Sequence, residues 1–241
     1  MRTTPYISIM SAKSPANKKH HQPTVKAYKM NDYIANYMWN FKPEEKASMP
    51  MASIDNNKNF FTGFNVVSLA DIESLIPHYP ELEKLWNLIP HWIIKADIGR
   101  LLYIYFHGDF YFDVDCNVRK NIATDSNSFL ILFTETLLKD VKKLGPRECK
   151  NPENVLRVAN YAFGTNVIKH PFLDEVILEC VKRLDFLVNS RPPELLQTDI
   201  LWVCGPDVVT TIYHKSGHRY HDLILLDTSY LSHLCHGSWR D

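Results

Sequence analysis

Residues 92–115 constrain the fold more than any other part of the chain. The apolar pattern predicts a helix from about Trp92 to His107, with Ile98, Leu101 and Leu102 in the core, and Gly108 stands where such a helix stops. Phe110-Tyr111-Phe112-Asp113-Val114 follows at once, with β-prone residues on both faces, as in a strand covered on both sides. An apolar helix that feeds straight into a buried strand belongs in a layered α/β structure.

The rest of the chain repeats that alternation. Residues 65–69 read as a strand and are followed by a short helix from Asp71. Pro80 opens a helix carrying Leu82, Leu85, Trp86 and Ile89 at i, i+3, i+4 and i+7. Residues 129–133 read as a further strand, and His170-Pro171 opens a helix to about Val188. Residues 199–204, read as a strand, a helix after Pro206 and a strand at 223–226 complete the series. The expected class is α/β with a largely parallel sheet flanked by helices.

With 241 residues the chain has room for one large domain, or one domain and an arm. Its 27 basic and 27 acidic side chains cancel, which argues against a nucleic-acid coat, since phosphate neutralisation needs a basic excess. Five cysteines with long gaps and no C-x-x-C suggest neither a disulfide framework nor a zinc knuckle, but thiols in a reducing compartment. No apolar run is long enough to span a membrane, and the first twenty residues lack the apolar core of a secretory signal. A soluble, cytoplasmic protein is the expectation. The first 31 residues carry Arg2, Lys13, Lys18, Lys19, Lys26 and Lys29 and no acid. There, residues 6–10 read as an opening strand and 11–24 as a polar loop. Residues 40–59, with amides and lysine around Asn56, read as irregular.

Chemistry concentrates at Asp113-Val114-Asp115. If the strand continues, residues two apart point the same way, so both carboxylates face one site at its C-terminal end. Ligands of open α/β sheets bind beyond such ends. Two hard oxygens there suit Mg²⁺ or Mn²⁺, which complete their shells with phosphate and water; two solvated turn carboxylates are the plainer alternative. Asp97 and Arg100 share one face of the preceding helix, as an intrahelical ion pair or as part of the site.

Ala96, Asp97, Arg100, Gly108, Tyr111, Asp113 and Asp115 together resemble the A-x-D-x-x-R … G-G-x-Y-x-D-x-D signature of the glycosyltransferases with a DXD-containing sugar-binding region. That family includes fungal initiating mannosyltransferases, capsular-polysaccharide transferases and, more distantly, the catalytic domains of clostridial glucosylating toxins. Asp109 departs from it by replacing the second glycine. Residues 158–163 with His170-Pro171, Cys204-Gly205-Pro206 with Val209-Thr210, and the tail His233-Leu234-Cys235-His236-Gly237-Ser238-Trp239 are similar to further family stretches. The resemblance covers residues 64–241; residues 1–63 lack the family's usual opening and form an atypical basic segment.

The resemblance implies a single GT-A type, Rossmann-like domain over residues 1–241. It implies a metal-dependent retaining enzyme moving a hexose or related sugar from a UDP- or GDP-sugar to a glycan, lipid-linked sugar or protein. By the same resemblance Asp115 ligates Mn²⁺ or Mg²⁺, Asp113 holds the ribose and the ion's water shell, and Asp97 and Arg100 grip sugar hydroxyls. Tyr111 lines the nucleotide pocket or is a core tyrosine. Asn160 faces the sugar or acceptor, or satisfies a backbone group. His233, or His236 in a shifted register, adds a nitrogen ligand, and Ser238 and Trp239 close over the diphosphate. Lacking a membrane anchor, the chain looks closer to bacterial or viral members than to Golgi ones. The competing readings are a non-catalytic sugar-nucleotide or glycan-binding module on the same fold and a metal-dependent phosphotransferase. His214, His218 and His221 read as a surface loop.

Overall fold

A computed structural model describes residues 28–41, 48–137, 156–190 and 194–234. The opening strand expected at 6–10, the loop at 11–24, and His236, Ser238 and Trp239 lie outside the described residues.

The strands are β1 (Tyr28–Lys29), β2 (Ile34–Met38), β3 (Gly63–Val67), β4 (Asp109–Phe112), β5 (Cys116–Val118), β6 (Ala123–Thr124), β7 (Leu130–Leu137), β8 (Leu156–Thr165), β9 (Leu223–Leu226) and β10 (Leu231–His233). The helices are α1 (Ala52–Asn57), α2 (Leu69–Glu73), α3 (Pro80–Trp86), α4 (Trp92–His107), α5 (Pro171–Ser190), α6 (Gln197–Val203) and α7 (Pro206–Ser216). A six-stranded sheet runs in the order β3-β2-β4-β8-β7-β9. β2 is parallel to β3 and β4, β7 is parallel to β9, and β8 is antiparallel to both its neighbours. Five strands therefore point one way and β8 alone is reversed. The class is mixed α/β with a mostly parallel sheet, as the alternation predicts. None of the helices among the described residues is long and apolar enough to cross a membrane.

Each sheet face buries its own core. On one side Val67, Tyr111, Leu132, Val158 and Phe163 meet the apolar stripes of α2 to α7. On the other, Ala35, Tyr37, Phe110, Phe112, Phe133 and Tyr161 are covered by Ile54 of α1, Phe61, and the β5–β10 ribbon through Cys116, Val118 and Leu231. Alternation along β4 is thus strict, with Tyr111 under the helices and its two phenylalanines under the ribbon.

Three sequence expectations change. Residues 199–204 are not a strand but lie largely in α6; the Asp199 carboxylate accepts the Leu196 N–H at 3.0 Å and starts the helix. A short apolar run does not separate helix from strand by periodicity, and here that cap decides. The sheet also begins earlier than residue 64. β2, between β3 and β4, uses Asn36 to donate from Nδ2 to the Phe110 carbonyl at 3.0 Å. His214 is likewise no loop residue: it lies in α7 with Nε2 2.9 Å from the Leu156 carbonyl.

The turn from α4 into β4 sets the site's height. Gly108 ends α4 at φ 75° and Asp109 follows at φ 66°. Asp109 tolerates the left-handed region because its carboxylate accepts the Ile34 N–H at 3.3 Å, so the residue replacing the family glycine also ties β4 to β2. On the neighbouring strand Gly164 lies opposite Phe110. A Cβ there would overlap the Phe110 ring, which is fully buried and has no room to move. Gly164→Ala is expected to cost about 1–3 kcal/mol by overpacking. Chemical denaturation checks this, and a loss below about 0.5 kcal/mol, the scatter of ordinary surface substitutions, would contradict it.

Candidate functional site

Arg100 organises the buried half of the site. α4 delivers Asp97 and Arg100 one turn apart on the face towards β8, and Arg100 Nη2 lies 2.6 Å from Asp97 Oδ1. Nη1 reaches Asp113 Oδ1 at 2.9 Å and donates to the Asn160 carbonyl at 3.2 Å. The guanidinium sits over the Tyr111 ring, 5.0 Å from its centroid, and the Tyr111 hydroxyl donates to Asp113 Oδ1 at 2.6 Å. Asp97 is shared further: Asn160 Nδ2 donates to Oδ1 at 3.3 Å and the Cys204 thiol to Oδ2 at 3.6 Å. Five residues distant in sequence thus close on one guanidinium–carboxylate cluster.

Burial opposes the charges in this cluster, and pairing restores them. Desolvation pushes the Asp97 carboxyl up to about 6 against the pull of Arg100. Burial would also weaken the Arg100 charge, but Asp113 and Asp97 raise its pKa well above the ordinary value. Tyr111, buried and donating to Asp113, stays a phenol. The intrahelical pair is therefore no exposed surface bridge but the buried floor of the site.

An irregularity in β8 brings Asn160 here. Between the pairs Leu132–Phe163 and Thr134–Val158, β7 advances two residues and β8 five. The bulge offers Asn160 to α4 while Tyr161 faces the opposite core. α7 holds it in place, because Thr210 Oγ1 accepts the Val158 N–H at 2.9 Å. The His170-Pro171 pair plays a structural part: His170 Nδ1 accepts the Phe172 N–H at 3.2 Å and Nε2 meets Asp222 at 3.3 Å.

Asp115 belongs to a second limb. The strand stops at Phe112, and Cys116 donates its N–H to the Asp113 carbonyl at 3.0 Å, so Asp113, Val114 and Asp115 form a turn. The expectation that both carboxylates face one point from a continuing strand is not met. Asp113 turns in to Arg100 and Tyr111 and keeps 26% side-chain exposure, while Asp115 turns to His233, with Nε2 3.2 Å from Oδ1. β5 and β10 pair antiparallel with His233 opposite Cys116, which places the histidine beside a carboxylate more than a hundred residues away in sequence. The imidazole packs on Tyr161 at 4.0 Å between ring centroids. Burial alone would lower the His233 pKa, but the Asp115 hydrogen bond and charge, with Asp113 and Glu135 nearby, raise it.

Among the described residues, Asp115, Cys116 and His233 bring ligand atoms within 4.8 Å of one another. The Cys116 thiol donates to the Tyr161 carbonyl at 3.7 Å, and burial together with Asp113 and Asp115 pushes its pKa well up, so it is a poor ligand. One carboxylate and one imidazole remain. That set fits Mn²⁺ or Mg²⁺ sharing its shell with phosphate and water better than a closed zinc centre.

The family described as glycosyltransferase sugar-binding region containing DXD motif matches residues 13–136, just over half of the chain. The chain belongs to this family. The matched region holds β2, α4, Asp97, Arg100, Asp113 and Asp115, and it reaches back past residue 64 as the sheet does. Among solved structures, PaToxG Glycosyltransferase is similar with a TM-score of 0.51 and 14% identity, over 79% of this chain and 72% of that one. At that identity the likeness is one of fold. A structure named as a transferase aligns over 82% of this chain and 88% of its own at 11% identity, with a TM-score of 0.36 that carries no weight. No curated protein matches at a significant level. For this glycosyltransferase-family chain, sequence reasoning missed Cys204 as a partner of Asp97 and Asn57 as a partner of β5. Both act across long sequence separations, which no local pattern records.

Proposed function

We propose that the chain is a metal-dependent, retaining glycosyltransferase, built as one GT-A-like domain, that moves a hexose or related sugar from a nucleoside-diphosphate sugar to a glycan, lipid-linked or protein acceptor. The observation that carries the reading is the Asp115–His233 pair, 3.2 Å apart, set just beyond the end of β4 and beside the Arg100 cluster. The C-terminal end of such a strand is where nucleotide ligands bind in open α/β sheets.

Asp115 and His233 would hold Mn²⁺ or Mg²⁺, which supplies positive charge to the diphosphate as it leaves. Asp113 has its inner oxygen fixed by Arg100 and Tyr111 and, partly exposed, is placed to receive a ribose hydroxyl. Asp97 and Arg100 form the wall for the donor sugar, and the negative charge of Asp97 and Asp113 favours the positive character that develops at the anomeric carbon. Asn160 orients Asp97 through its amide and Arg100 through its carbonyl. Retention of the anomeric configuration is what the family resemblance implies, and with no side chain of this cluster assigned as a covalent nucleophile the proposed route is front-face displacement. The Asp97 carboxylate is committed to Arg100, Asn160 and Cys204, so it is not free to serve as the general base a phosphotransferase needs.

The decisive test is incubation with Mn²⁺ and a panel of UDP- and GDP-sugars. Slow release of nucleoside diphosphate from one donor, abolished by EDTA and restored by Mn²⁺, is expected. No turnover of any donor, and no thermal shift by UDP or GDP with Mn²⁺, would defeat the proposal.

A further inference from the structure

The Asp115 turn and β5 lie outside the six-stranded sheet. β5 is only three residues long and pairs with β10 along one edge. Its other edge is held by side chains at the end of α1, above all Asn57. Asn57, the last residue of α1, is 1% exposed, and its carboxamide behaves as a missing strand would. Its Oδ1 accepts the Val118 N–H at 2.8 Å, and its Nδ2 donates to the Cys116 carbonyl at 2.9 Å. Those two bonds copy the paired N–H and C=O contacts of a neighbouring strand. The second Nδ2 hydrogen goes to the Tyr37 hydroxyl at 2.9 Å, and the second Oδ1 lone pair takes Asn56 Nδ2 at 3.1 Å. Asn56 also donates to the Val118 carbonyl at 3.1 Å. All four hydrogen-bonding valences of the Asn57 amide are filled.

We propose that Asn57 is the positioning residue of the metal limb: by clamping β5 on the edge that β10 leaves open, it keeps Asp115 within reach of His233. The inference rests on the proposed metal site and assigns to it a residue of α1, a helix within the stretch 40–59 that the sequence pattern reads as irregular. A ribbon of two three-residue strands is not stable alone in water, so its register depends on such outside partners. Asn57 acts through the Cys116–Val118 backbone and touches no ligand itself. Partners of this kind, one shell behind the ligands, change metal affinity by roughly 10–100-fold when removed.

The test is Mn²⁺ affinity, read by electron paramagnetic resonance of free Mn²⁺ and independent of turnover. Thermal stability is measured in parallel, and titrations are run well below every melting temperature. Asn57→Ala is expected to raise the Mn²⁺ dissociation constant about 10-fold or more. Asn57→Asp, which keeps the acceptor for Val118 but loses the donor to Cys116, should fall between and guards against a misfolded alanine variant. Tyr37→Phe removes one Asn57 partner without touching β5, so it should lower the melting temperature and leave Mn²⁺ affinity within twofold. Affinity losses that track stability across all three variants would reduce Asn57 to a packing residue and overturn the inference. Wild-type affinity in Asn57→Ala would do the same and leave the proposed function standing. A wild-type protein that takes up no Mn²⁺ with or without UDP overturns both.

Discussion

Arg100→Ala is expected to destabilise the protein by about 3–5 kcal/mol, the cost of removing one partner from a buried charge cluster. Arg100 is 4% exposed and answers Asp97, Asp113 and the Asn160 carbonyl at 2.6, 2.9 and 3.2 Å. Without it, two carboxylates face each other over the Tyr111 ring with only the Asn160 amide and the Cys204 thiol as donors to Asp97. Direct truncation of packing adds to the loss, since the guanidinium covers the ring. The deficit carries a pH signature. Burial already raises Asp97 to about 6 in the folded state, and loss of the Arg100 charge raises it further. A carboxyl whose folded pKa lies above its unfolded value binds its proton more tightly in the native state. Stability therefore rises as pH falls from above the folded pKa towards the unfolded one near 4. The variant has the larger shift, so its deficit should shrink between pH 8 and pH 5. Urea unfolding at both values measures it; a deficit under about 1 kcal/mol, far below that of a broken buried pair, or one independent of pH, would contradict the account.

What the sequence could and could not announce follows from how far each interaction reaches. α4 is legible because its apolar period and its Gly108 stop are local to it. The α5 helix was equally plain from His170-Pro171. β2 was not, because Asn36 and Tyr37 interrupt its apolar pattern and are satisfied by the distant partners Phe110 and Asn57. The reversal of β8 leaves no local trace, nor does the bulge that frees Asn160. At the site, the two motif aspartates stand out by their spacing and Asp97 and Arg100 by the family resemblance, and Asp97, Arg100 and Asp113 do converge. The division of labour between Asp113 and Asp115 was hidden, since it depends on β4 ending one residue before the motif. A strand continuing through Asp115 would have aimed both carboxylates alike; the turn instead sends one inward to arginine and the other to the β10 histidine.

That division also separates the effects of the two aspartates. Asp115→Ala leaves the Arg100 cluster whole, and the ribbon keeps its backbone pairing, including the Leu234 N–H on the Asp115 carbonyl at 3.1 Å. A loss of stability of about 1–3 kcal/mol is expected, because Asp115 is buried and its carboxylate is hydrogen-bonded to His233. Turnover should suffer far more. If Asp115 and His233 hold the ion that stabilises the leaving diphosphate, loss of the carboxylate paired with His233 should cut Mn²⁺-dependent nucleoside-diphosphate release by roughly 10²–10³-fold. His233→Ala should cost less, since a neutral nitrogen contributes no charge to cation binding. The double variant decides whether the two act together. Residues that serve one ion lose their value once, so Asp115→Ala with His233→Ala should be hardly slower than Asp115→Ala alone. Independent roles would multiply instead. Initial rates at saturating donor, with Mn²⁺ varied over a wide range, separate weakened ion binding from slowed chemistry. A threefold or smaller loss in Asp115→Ala at all Mn²⁺ concentrations would remove the carboxylate from the reaction and with it the metal-dependent mechanism.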